Sequence, residues 1–116
     1  MQKIEIKGVI IPKSSIPEYK KDGREYTSLE DIKIPFPSEP LEVRINSSGG
    51  DVYTANEIYA KLRGHKGKVT VKIVGLAASA ASVIAMAGDV IEMNPIALMM
   101  IHNVSTLTYG NSQQLK

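Results

Sequence analysis

Residues 41–82 read LEVRINSSGGDVYTANEIYAKLRGHKGKVTVKIVGLAASAAS, and this stretch decides the fold class. Leu41, Val43 and Ile45 alternate with polar residues, the period of a strand with one buried face. Ser47-Ser48-Gly49-Gly50 then reads as a turn, and Asp51 as the cap of the helix that follows. From about Val52 to Arg63, the residues Val52, Ala55, Ile58, Tyr59 and Leu62 recur at helical spacing, and Gly64 supplies the stop. Residues 68–74 (KVTVKIV) form a β-branched strand that Gly75 ends. A second helix is expected over about 78–87. It is apolar on every side, which predicts burial all round.

Working outward, residues 3–11 (KIEIKGVII) read as another strand. Residues 12–27 hold Pro12, Pro17, Gly23 and many charges and read as a loop. Thr27-Ser28-Leu29-Glu30 has the form of a capping box, with room for only a short turn before Pro35. Pro35, Pro37 and Pro40 forbid regular helix or central strand between them. Residues 89–93 and 97–102 read as two strands joined at Asn94-Pro95, and 103–116 form a polar tail. The order is alternating α/β. Parallel crossovers would set the Gly49/Gly50 turn beside Gly75–Ser79 at the carboxyl ends of their strands, where open α/β sheets bind ligands.

Composition narrows the chemistry. The chain has 116 residues, 43% of them hydrophobic, which suits one domain with a real core. It has no cysteine, so disulfide scaffolds, thiolate metal sites, iron–sulfur clusters and a cysteine nucleophile are excluded. Fourteen basic side chains face twelve acidic ones, a net charge of +2 that does not favour nucleic acid. Lys13, Lys20, Lys21 and Arg24, and then Lys61, Arg63, Lys66 and Lys68, lack interleaved aromatics and read as solvated surface. The most apolar stretch, Ile73 to Gly88, falls short of the roughly 20 residues of a membrane span. No signal-peptide block opens the chain, so a cytoplasmic protein is expected.

Three features can carry chemistry. Gly75-Leu76-Ala77-Ala78-Ser79-Ala80-Ala81-Ser82 sets a serine where a strand meets a helix. There the positive end of the helix and its unpaired N–H groups can hold an oxyanion. Read locally, Ser79 is either such a nucleophile or simply the helix cap. Gly49-Gly50 is either an outward-facing N–H donor or an ordinary tight turn. His102 ends an apolar strand, and is either a base for a serine hydroxyl or a hydrogen-bonded structural histidine. His65 lies in a basic turn. Two isolated histidines without cysteines do not make a metal site.

Taken together, Ile45-Asn46-Ser47-Ser48-Gly49-Gly50-Asp51, Gly75-x-Ala77-Ala78-Ser79-Ala80 and Met100-Ile101-His102-Asn103 resemble the Clp-type serine peptidases. The nearest likeness is to phage-encoded members described as head maturation or prohead proteases. The likeness covers about residues 41–110, and Ser48 stands where that family typically has proline. It implies a Clp/crotonase-like β-α superhelix of stacked strand–strand–helix units. It implies Ser79 as nucleophile, His102 as general base, and the backbone N–H groups of Gly50 and Ala80 as oxyanion donors. Ser82, one helical turn on, is the competing serine, and its hydroxyl is expected to bond back to a carbonyl.

The resemblance also implies a polypeptide substrate, a homo-oligomeric ring and no cofactor. Partners would be a separate ATP-dependent unfoldase or phage capsid proteins, with neither nucleic acid nor membrane. In a phage or prophage setting the location is the host cytoplasm. The family draws its third triad residue, an aspartate, from beyond the histidine. No acidic residue follows Glu92 here. The expectation is therefore one domain over 1–116 that is the N-terminal portion of a longer one. One other reading remains open, an inactive Clp-like assembly or peptide-binding module. A crotonase-like acyl-CoA enzyme is disfavoured, since that superfamily does not use a serine–histidine pair at these positions and no coenzyme A site is evident.

Overall fold

The computed structural model describes residues 1–100. Strand β1 (Gln2–Ile10) leads through a 3-10 turn into helix α1 (Ile16–Lys21) and the two-residue strand β2 (Tyr26–Thr27). A second 3-10 turn (Leu29–Asp31) precedes β3 (Leu41–Gly50), helix α2 (Val52–Arg63) and β4 (Val69–Ala78). Helix α3 (Ala80–Ala85), β5 (Val90–Met93) and β6 (Leu98–Met100) complete the order. All strand pairs are parallel, in the order β2-β1-β3-β4-β5, with β6 also on β4.

The alternating pattern explains the layering. Ile4 and Ile6, then Val43 and Ile45, then Val71 and Ile73 line one sheet face and are buried against Ile58 and Leu62 of α2 and Ile84 of α3. Full burial of one such side chain contributes ~1.5–3 kcal/mol, so this face supplies most of the apolar driving force. The opposite face carries Lys3, Glu42, Arg44 and Lys72. Glu42 is 6% exposed there and is bridged by Arg44 at 3.2 Å and Lys72 at 3.3 Å.

Helix α2 occupies the span its periodicity predicts. Asp51 caps it, its carboxylate accepting from the Thr54 N–H at 2.8 Å and the Thr54 hydroxyl at 2.6 Å. Several expectations need correction. The stretch 12–27 is not all loop. Pro17 sits in the first turn of α1, where its missing N–H is harmless, but α1 buries no residue and so leaves no apolar stripe to read. The capping box lies one residue later, between Ser28 and Asp31, because the Thr27 hydroxyl is engaged with both the N–H and the carbonyl of Lys7. Helix α3 is shorter than expected and not buried all round, with Val83 37% exposed and Met86, just past its end, 44% exposed.

The largest difference concerns the glycine-containing segments. Ser47–Gly50 is the end of β3 and not a turn, and Gly75–Ala78 is the end of β4. Pairing between these strands steps from Ile45↔Ile73 to Ser47↔Ala77, so β4 spends two residues more than β3 across the break. The Asn46 side chain fills this irregularity. Its Oδ1 accepts the Leu76 N–H at 3.0 Å, and a Cβ on Gly75 would lie 2.5 Å from that oxygen. Glycine at 75 thus admits a side chain from the next strand and does not break its own strand.

Candidate active site

The upper ends of β3 and β4 meet where β4 turns into α3. Ser79 forms that junction with φ 54° and ψ −122°, and among the described residues it alone combines positive φ with a side chain. An L-residue is held in such a conformation at a cost of order 1–3 kcal/mol, and only when its surroundings fix it. The fixing contacts are visible. The Ser79 N–H donates to the Met100 carbonyl of β6 at 2.8 Å. The Ser79 carbonyl accepts the Ser82 N–H at 2.9 Å and the Ser82 hydroxyl at 2.5 Å. The Ser79 side chain makes no capping hydrogen bond, which removes the simple helix-cap reading.

Gly49 forms the facing wall. A Cβ built on it would lie 2.7 Å from the Ala78 carbonyl oxygen, 3.0 Å from the Ser79 Cβ and 3.1 Å from the Ala80 nitrogen. With φ at 104° as well, only glycine fits. The expected approach of the two glycine-containing segments is therefore present, formed by strand ends. Gly49 is buried and Gly50, the next residue, is exposed. The Gly49 N–H is already taken up by the Ser47 hydroxyl at 3.1 Å. Ala80 is the first residue of α3, where amide groups lack intrahelical acceptors.

The structure thus brings Ser79 and Ala80 against Gly49, next to Gly50, which pairs with Ile10 of β1. Ser82 is 2% exposed and tied to a carbonyl, as its place inside the helix predicts. His102 lies outside the described residues. His65 is remote from the junction, because its Nε2 lies 2.6 Å from the Glu39 carbonyl near the start of β4, and Ser79 follows the end of that strand. Among the described residues no cluster of three or more metal-binding side chains occurs, and no helix is long and apolar enough to cross a membrane. Sequence reasoning missed Asn46 and Ser47 as parts of the site's framework. The signal available was a polar pair at the end of an alternating strand, immediately before two glycines.

A family profile described as Clp protease matches residues 28–116. The chain belongs to the Clp protease family. Within it, the chain is 37% identical over 82 residues to an ATP-dependent Clp protease proteolytic subunit from Deinococcus radiodurans, a match covering 69% of this chain and 40% of that protein. A mutant of ClpP1 from Listeria monocytogenes has the same fold with a TM-score of 0.65 at 24% identity, over 98% of this chain and 63% of its own. The ClpP catalytic domain from Plasmodium falciparum superposes with a TM-score of 0.62 at 23% identity, over 92% and 59% respectively. This Clp family chain spans between about two fifths and somewhat under two thirds of the length of these relatives.

Proposed function

We propose that this chain carries the nucleophile, base and oxyanion donors of a serine endopeptidase. The observation that supports this most directly is Ser79, held by neighbouring backbone in a strained strand-to-helix junction with its side chain uncommitted to capping. Ser79 Oγ attacks the carbonyl of a polypeptide substrate while His102 takes its proton. The N–H groups of Gly50 and Ala80 hold the tetrahedral oxyanion. Engagement of the Gly49 amide by Ser47 favours Gly50 as the donor from β3. Loss of one such donor typically removes ~3–4 kcal/mol of transition-state stabilisation. The imidazolium then protonates the leaving amine. An orienting carboxylate completes this mechanism, and its loss costs about 10⁴ in turnover in a related arrangement. The whole protein works as a homo-oligomer in the cytoplasm, with an unfoldase or capsid proteins as partners.

A fluorophosphonate probe tests the assignment, because it reports one chemical event and does not need repeated turnover. Stoichiometric labelling mapped to Ser79, and lost in Ser79→Ala, is expected. Labelling that persists in Ser79→Ala, or an unmodified protein that does not label, rejects it.

A further inference from the structure

We infer that Ser47 is a positioning residue for this site, an inference that rests on reading Ser79 as the nucleophile. Ser47 is 2% exposed at the end of β3 and touches no reacting atom. Its hydroxyl does two things at once. It donates to the Gly8 carbonyl at 2.6 Å and accepts the Gly49 N–H at 3.1 Å.

The two partners lie on opposite sides of a mechanical problem. Gly8 sits in a bulge of β1 with φ 66°, where pairing slips between Lys7 and Val9. Thr27 pins that bulge by bonding both backbone groups of Lys7, at 2.9 and 2.8 Å. Gly49 in turn abuts the Ala78 carbonyl and Ser79. The Ser47 hydroxyl therefore couples a clamped bulge on one strand to the backbone wall of the nucleophile junction. It also turns the Gly49 amide inward and so fixes the Ser48–Gly49 peptide, immediately before the one that carries the Gly50 N–H. A side chain there must donate and accept in the same geometry, which a hydroxyl does and an aliphatic group does not. Small displacements at such a wall suffice to change reactivity strongly, since a misplacement of about 1 Å can cost about 10²-fold.

The test compares Ser47→Thr with Ser47→Val in the full chain, two side chains of similar size that differ in the hydroxyl. Hydrogen exchange is measured over peptides covering 46–51 and 77–82, beside the rate of fluorophosphonate labelling at Ser79. Ser47→Val should speed exchange in both segments and slow labelling about 10- to 100-fold with an unshifted pH profile, whereas Ser47→Thr keeps both near the unmodified values. Should Ser47→Val fail to fold, Ser47→Ala replaces it and is read against the unmodified chain. Exchange confined to 46–51, equal behaviour of the two variants, or an unchanged labelling rate overturns the role. If the unmodified chain never labels at Ser79, the peptidase reading falls, and exchange at 77–82 still decides whether Ser47 positions that segment.

Discussion

The backbone N–H of Ser79 donates to the carbonyl of Met100 at 2.8 Å. The bond ties the junction between β4 and α3 to the last residue of β6. It also sets the chain two residues short of His102 directly beside the proposed nucleophile. Together with the Ser82 contacts to the Ser79 carbonyl, it holds a backbone conformation that an isolated serine would leave.

Ser79→Gly should therefore raise stability relative to Ser79→Ala by about 1–2 kcal/mol, since glycine adopts φ 54° freely. Thermal or urea unfolding of the two variants checks this, and neither should label. Equal stability of the two would mean the junction is not strained. Ser82→Ala, by contrast, should keep labelling and lose about 1 kcal/mol with its hydrogen bond.

Gly49→Ala should lower stability by roughly 2–4 kcal/mol and suppress labelling, because its Cβ meets the Ala78 carbonyl at 2.7 Å. Gly23→Ala is the control. Gly23 also has positive φ, at 66°, but nothing lies within 4 Å of its Cβ position, so only the backbone strain of about 1–2 kcal/mol applies. Similar losses for the two glycines would contradict the close packing of Gly49 on the junction.

Glu42 predicts the acid limb of stability. Burial acts to raise its pKa, but hydrogen bonds from Arg44 and Lys72 and the charges of Lys72 and Lys3 outweigh it, leaving the carboxyl below its ordinary value of 4.5. The folded state binds this proton less readily than the unfolded chain. The contribution is thus fully present above the ordinary value and is lost as pH falls through the lowered one. Urea midpoints should decline on acidification below about pH 4.5 more steeply in the unmodified chain than in Glu42→Gln. Parallel curves would remove Glu42 from the acid response.

Asp51→Ala removes the double acceptor at the start of α2 and should cost about 0.5–2 kcal/mol, whereas Asp51→Asn should retain most of it. Denaturant unfolding of the pair is the measurement. A loss in Asp51→Asn as large as in alanine would point to charge and not capping as the stabilising element.

Much of this arrangement was legible in the sequence because it rests on periodicity. Leu41, Val43 and Ile45 announce a half-buried strand, and Ala55, Ile58 and Leu62 announce the helix behind it. The three motif blocks carried the family, since their order and spacing are specific where each alone is not. What escaped was non-local. Gly49 and Gly75 look like turn residues by composition, yet each lacks a side chain because a neighbouring strand occupies the space. Thr27 has the chemistry of a helix cap, but its hydroxyl is taken by Lys7, twenty positions earlier. Helix α1 escaped for a different reason: with no buried face it has no hydrophobic period.

Strand β4 changes partners along its length, pairing with β5 through Thr70–Ile73 and with β6 through Leu76–Ala78. The two halves meet at the Gly75 irregularity, so a perturbation in one need not propagate as a rigid shift into the other. The lower half, locked between apolar neighbours, behaves as a foundation whose substitutions register in melting behaviour. The upper half, with Ala77 and Ala78 buried, is the mounting for Ser79, where substitutions register in reactivity as well as in stability. A single strand thus joins a purely structural segment to one that also shapes the chemistry, with Gly75 and Asn46 as the seam between them.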